Sequence, residues 1–135
     1  MATSNPGQNL QSSNLDEAVA ELACEAYRAV KYGTAQGTVT PCTAITDIAI
    51  GVTTTKAAAG ARVEFQTKGI ALVTANAAIT QGVEVMVAAA AAGRAAAAAG
   101  ATARSAGVCV QASTALDQVI AVLINLPNLQ GAVNV

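Results

Sequence analysis

From Tyr27 onward the apolar residues come in short bursts, each closed by residues that favour turns. The clearest burst is "RVEFQT", Arg62 to Thr67, with Val63 and Phe65 on one side and Arg62, Glu64 and Gln66 on the other. A period of two is what a strand with one buried face needs, because successive side chains point to opposite faces. "VEVMV" repeats it, aligning Val83, Val85 and Val87. "YRAVKYGTAQGTV" alternates until it breaks at Gly33 and again at Gln36-Gly37. The runs "IAIGV" (48–52), "GIALV" (69–73), "GVCV" (107–110) and "QVIAVLI" (118–124) have strand length. Glycines at 33, 37, 51, 60, 69, 82, 93, 100 and 107 separate the bursts. Intervals of roughly ten residues are those of an antiparallel sandwich or barrel. The pattern predicts an all-β protein, a small antiparallel β-barrel or sandwich, as a single domain over residues 14–126.

Three kinds of stretch depart from this rhythm. Residues 1–13, "MATSNPGQNLQSS", are polar and aperiodic and read as a flexible N-terminal arm; "PNLQGAVNV", residues 127–135, reads as a C-terminal tail. Over 15–26 the local signals predict a short helix. Asn14 stands three residues before Glu17, as in a capping box, and Asp16 lies in the first turn. Leu15, Val19, Leu22 and Ala26 then follow at near-helical spacing. The third stretch is the alanine tract 88–104, "AAAAAGRAAAAAGATAR". Alanine is the best helix former, but a glycine inside a helix costs up to about 1 kcal/mol. Gly93 and Gly100 leave pieces below the roughly 12–15 residues that an isolated helix needs. Flanked by strand-like segments, the tract reads as a hairpin or wide loop turning near Gly93-Arg94, with a helical insert as the alternative. A faint echo links "IGVTTTKAAAGARVEF" to "AGVCVQASTALDQVIA", as two strand–turn–strand units would, without the repetition of a solenoid.

Composition narrows the function. About a quarter of the chain is alanine, so the 53% hydrophobic content overstates the core, and an oligomer would relieve the shortage of bulky residues. Charged residues are 11% and the net charge is −1, which leaves little repulsion to keep copies apart. Seven basic residues balanced by eight acids give no stripe for phosphates, and two Tyr with one Phe give few stacking platforms. Nucleic acid is therefore not an expected partner. Neither is a membrane: "VIAVLINL" is too short to cross one, and the N-terminus has no basic and apolar leader. The expectation is a soluble protein made in the cytoplasm.

Chemistry is sparse. The chain has no histidine, which removes the usual general base and the commonest metal ligand. Cys24, Cys42 and Cys109 are odd in number and widely spaced, so a zinc site or disulfide framework is not expected, and they read as reduced core residues. Asp16, Glu17, Glu21 and Glu25 read as a solvated face, and Asp47 as a turn-capping carboxylate. No GxGxxG, Walker A or GxSxG motif occurs. No cofactor and no catalysis are expected. An enzyme would have to rely on a lone cysteine such as Cys42 or on a carboxylate pair.

In order along the chain, "YRAVKYGT" (27–34), "TAITDIAIGV" (43–52), "AAAGARVEFQTKGIALV" (57–73), "AAITQGVEVMV" (77–87), "GRAAAAA" (93–99) and "GVCVQASTALDQVIAVLINL" (107–126) resemble the capsid cement, or decoration, proteins of tailed bacteriophages. The resemblance implies a non-enzymatic virion protein on the capsid surface, made in a bacterial cytoplasm. Its partners would be the major capsid protein and copies of itself, as a homotrimer or homodimer. It would stabilise the shell by bridging neighbouring capsid proteins. The alternative is a tail or fibre-associated component. Contacts with capsid or other subunits are expected in the terminal segments, at Asn5, Pro6, Gln8, Asn9, Leu10, Pro127, Asn128 and Leu129.

Overall fold

The computed structural model describes residues 15–88, 92–98 and 104–126. They form ten strands and no helix: β1 (Leu15–Ala20), β2 (Ala29–Tyr32), β3 (Thr38–Pro41), β4 (Gly51–Thr53), β5 (Arg62–Gln66), β6 (Lys68–Thr74), β7 (Glu84–Val87), β8 (Ala95–Ala97), β9 (Ser105–Cys109) and β10 (Val119–Asn125). The first five close a barrel in the order β1-β3-β2-β4-β5, and the last five make a sheet in the order β6-β10-β9-β7-β8. Every named pair is antiparallel except β1–β3.

Residues 15–26 are not a helix. Leu15–Ala20 is β1, paired with β5 from Leu15↔Gln66 to Val19↔Arg62 and with β3 at Val19↔Thr38 and Ala20↔Val39. Beyond it come an isolated bridge from Cys24 to Ala57 and a turn in which Tyr27 has φ 63°. The reason is non-local. Without β1, both β3 and β5 would present open edges, and strand pairing satisfies backbone groups that a short, marginal helix elsewhere would leave unpaired. The alternation then buries Ala20 while Leu15 and Leu22, two members of the supposed helical stripe, stay exposed.

The alanine tract contributes the strand β8. It pairs with β7 at Val87↔Ala95, Met86↔Ala96 and Val85↔Ala97, and the Ala88 N–H donates to the Arg94 carbonyl. The chain reverses through Ala92 and Gly93, both at positive φ. Residues 89–91 and 99–103 of the tract lie outside the described residues.

Two cores hold the fold. Inside the barrel are Ala20, Cys24, Val30, Val39, Ile50, Ala57, Val63 and Phe65. The larger core lies between barrel and sheet, where Ala29, Cys42, Ala49 and Val52 from the barrel half meet Val73, Val85, Val87, Ile120, Val122 and Ile124. Small residues on the barrel side let the sheet approach closely. The space left between the layers is only about 20 Å³, room for about one water. Gly93 completes the junction. Its carbonyl accepts from Ala29 N–H at 2.8 Å, and a Cβ there would meet the Ala29 backbone.

Candidate binding surfaces

Polar groups in this protein mostly secure loops. Asp47 Oδ2 accepts from the Thr43 and Ala44 N–H groups at 2.8 and 3.0 Å and pairs with Lys31 Nζ at 3.1 Å. Burial alone would raise its pKa, but the two N–H donors and Lys31 win and hold it below the ordinary 3.8. Glu21 is lowered too, first by the Thr34 hydroxyl, which donates to Oε2 at 2.9 Å, and by Thr34 N–H, which donates to Oε1 at 2.6 Å. Both carboxylates close turns. Thr53 donates to the Glu25 carbonyl, and Ser113 donates to the Ala77 carbonyl while accepting from Ile79 N–H, so these buried hydroxyls are satisfied.

The three thiols are buried and unbonded to one another. Burial pushes all of them up, Cys42 to about 12 with a further push from Asp47. A nucleophile needs the opposite shift. Among the described residues no three Cys, Asp or Glu side chains gather as a metal site would require.

What the surface does offer is apolar. One concavity, about 790 Å³ and wide open, sits on the barrel beside Leu22, Tyr32, Thr34 and Pro41; Tyr32 is 71% exposed. A groove of about 280 Å³ runs along the edge of β6 between Tyr27, Thr54, Gln66, Ile70 and Leu72. There Gln66 Nε2 donates to the carbonyls of Lys68 and Ile70 at 2.8 and 3.1 Å, blunting an edge that could otherwise recruit another strand.

Among the described residues, six exposed large apolar side chains share the outer face of the sheet. Register places Ile70 opposite Leu123 and Leu123 opposite Val108. In the next row Leu72 faces Ala121, whose carbonyl accepts from Val110 N–H, and Val119 follows on β10. Ile70, Leu72, Val108, Val110, Val119 and Leu123 are 38–61% exposed. Contiguous patches of this kind mark association surfaces, whereas scattered exposed leucines do not.

The first and last described residues lie close together. Leu15 pairs with Gln66, while Asn125 pairs with Lys68 and Leu126 N–H donates to the Thr67 carbonyl at 3.2 Å. Leu15 and Leu126 therefore lie at neighbouring points, where β5 passes into β6. The contact residues expected from sequence, Asn5, Pro6, Gln8, Asn9, Leu10, Pro127, Asn128 and Leu129, all lie outside the described residues. Sequence reasoning missed the sheet face, although "GIALV" and "QVIAVLI" carry its signal: apolar residues at both parities of a strand mean that both faces are apolar.

The fold and its surfaces thus define a small all-β protein whose distinguishing features are apolar faces. The sequence model of the family described as "Phage cement protein" matches residues 16–124, and the chain belongs to that family, a structural component of phage virions. No curated protein matches it in sequence. Among solved structures it is similar to the N base of head fiber gp8.5 in bacteriophage phi29, with a TM-score of 0.67 and 18% identity over 86% of this chain and 97% of that one. That likeness bears on the fold.

Proposed function

We propose that this protein binds the outer surface of an assembled phage capsid and stabilises it by bridging neighbouring major capsid proteins, without catalysis. The observation that carries the reading is the family match over residues 16–124. Physical features support it. A charge-poor surface can pack on another protein without burying unpaired charges. Contacts at Asn5 to Leu10 and at Pro127 to Leu129 would add to those of the folded part, each profiting from the effective concentration set by the first. Whatever binds the closed lattice and not free subunits opposes its opening.

Mature capsids lacking the protein, mixed with it and pelleted, test this. The expected result is saturation at a simple ratio to major capsid protein, together with capsids that disrupt at higher temperature. The likeness to a head fiber base favours one second reading, a fibre- or tail-associated component. Saturation at a few copies per particle would select it over lattice-wide cementing.

A further inference from the structure

We infer that the outer edge of β6 is a docking site for one extended segment of a partner protein, which joins the sheet as an added strand. The inference rests on the proposed function only for the source of that segment, a capsid protein.

Hydrogen-bond parity along β6 carries the argument. β6 ends its sheet, with β10 as its neighbour there. In an antiparallel pair, successive residues turn their N–H and C=O groups alternately towards the neighbour and away from it. Two bonds fix the phase. Ala75 N–H donates to the Gln118 carbonyl, and Leu126 N–H donates to the Thr67 carbonyl, so the odd-numbered positions face β10. Lys68, Ile70, Leu72 and Thr74 therefore turn their backbone groups outward. Three of these groups are already answered. Thr74 N–H donates to the Tyr27 carbonyl at 2.8 Å, and one amide, Gln66 Nε2, serves the carbonyls of both Lys68 and Ile70. Between these caps Leu72 N–H, Leu72 C=O and Ile70 N–H have no partner among the described residues. Gln66 answers only half of the edge.

The groove beside these groups selects the occupant. Its far wall is Tyr27, Val52, Thr53, Thr54 and Gln66, and its volume is about 280 Å³. That suits a single extended chain at the ~4.8 Å spacing of strands. A second folded copy pairing through its own β6 would bring its own wall against this one. An extended segment running antiparallel sets one residue opposite Leu72 and another, two positions on, opposite Ile70. The first exchanges two hydrogen bonds with Leu72. The second accepts from Ile70 N–H and donates to the Ile70 carbonyl, taking over from Gln66. Their side chains emerge beside Leu72 and Ile70, which are 48% and 61% exposed, so both are apolar. The residue between them turns into the groove and is small. The motif recognised is apolar–small–apolar, held mainly by its backbone. Gln66 is a placeholder that keeps the edge from indiscriminate pairing until such a strand replaces it.

Amide NMR of the full chain, titrated with the blocked peptide acetyl-Thr-Val-Ala-Val-Thr-amide, tests this. The expected shifts centre on Ile70 and Leu72 N–H and on the Gln66 side-chain amide, with a Kd of about 1 mM or tighter. Gln66→Ala removes the competing donor and should bind the peptide roughly three- to tenfold more tightly. Leu72→Pro removes an N–H that β10 does not use, and should weaken binding at least tenfold. If Leu72→Pro fails to fold, the peptide gives the same answer on the unaltered chain. Methylating both valine nitrogens should abolish binding, whereas methylating the alanine nitrogen should not. Ile70 and Leu72 unmoved at about 5 mM peptide, no gain in Gln66→Ala, or equal binding of the valine-methylated peptide would each overturn the proposal. Shifts at Leu72 that grow with protein concentration alone would give the edge to a second copy and overturn it too. In the capsid pelleting assay Gln66→Ala should saturate at a lower concentration, and unchanged saturation would overturn the capsid protein as the source. The titration contains no capsid, so its failure is separate from failure of the proposed function.

Discussion

At the scale of single residues, Asp47 gives the sharpest pH signature. Its side chain is 15% exposed and holds two backbone N–H groups and Lys31. Because the folded pKa is depressed, its contribution to stability is present above the ordinary value of 3.8 and is lost as pH falls through the lower, folded value. Asp47→Asn should cost about 1 kcal/mol at pH 7, since the amide oxygen still accepts but carries no charge for Lys31. The acid limb of Tm against pH should become shallower in that variant. It should not vanish, because Glu21 is lowered in the same direction by the Thr34 hydroxyl and N–H. An unchanged acid limb would show that the Thr43–Asp47 turn forms without the carboxylate's charge. Sequence alone could place this residue in a capping role, because Asp before a strand in "TAITDIAIGV" has that local chemistry. Its partner Lys31 was not legible, since the two meet only once β2 is in place.

At the scale of elements, the junction at Gly93 is the point where a single methyl group tells most. Gly93 has φ 82°, and its Cβ would press on the Ala29 backbone, whose N–H the Gly93 carbonyl accepts. Gly93→Ala should destabilise the fold by about 2–4 kcal/mol, combining a left-handed alanine with overpacking against a backbone that cannot yield. Ala92 already tolerates φ 50° one residue earlier, so a loss well under 1 kcal/mol would mean that the loop moves off β2 instead. Urea unfolding at constant m-value measures it. Elements were legible in sequence where their pattern is local. β5 could be read from Val63 and Phe65 alone, which are indeed buried. β1 could not, because its capping signals and spacing are local while the partners it joins lie 19 to 51 residues later, at Ala20↔Val39 and Leu15↔Gln66. The sheet's second apolar face was written in "GIALV" and "QVIAVLI", but only the strand order shows that one side of it has no cover.

At the scale of the whole molecule, the question is whether barrel and sheet open together, and the buried cysteines report on each core. Cys24 belongs to the barrel interior, and Cys42 and Cys109 to the core between the layers. That second core takes Ala29 and Val52 from β2 and β4, strands which also wall the barrel, and a single residue, Thr67, joins β5 to β6. Losing the barrel would therefore uncover the inner face of the sheet, and losing the sheet would expose the barrel's flank. The cores should stand or fall as one unit. With excess thiol reagent at pH 8, all three cysteines should react in a single phase at the rate of global opening, and at once in denaturant. The raised thiol pKa values sharpen the test, because a group held near 12 like Cys42 stays protonated until its surroundings come apart. Mass spectrometry of partly labelled protein would then show only unlabelled and triply labelled chains. Early labelling of Cys24 with Cys109 still protected would mean instead that the barrel opens while the sheet persists, and residues 14–126 would be two folding units rather than one.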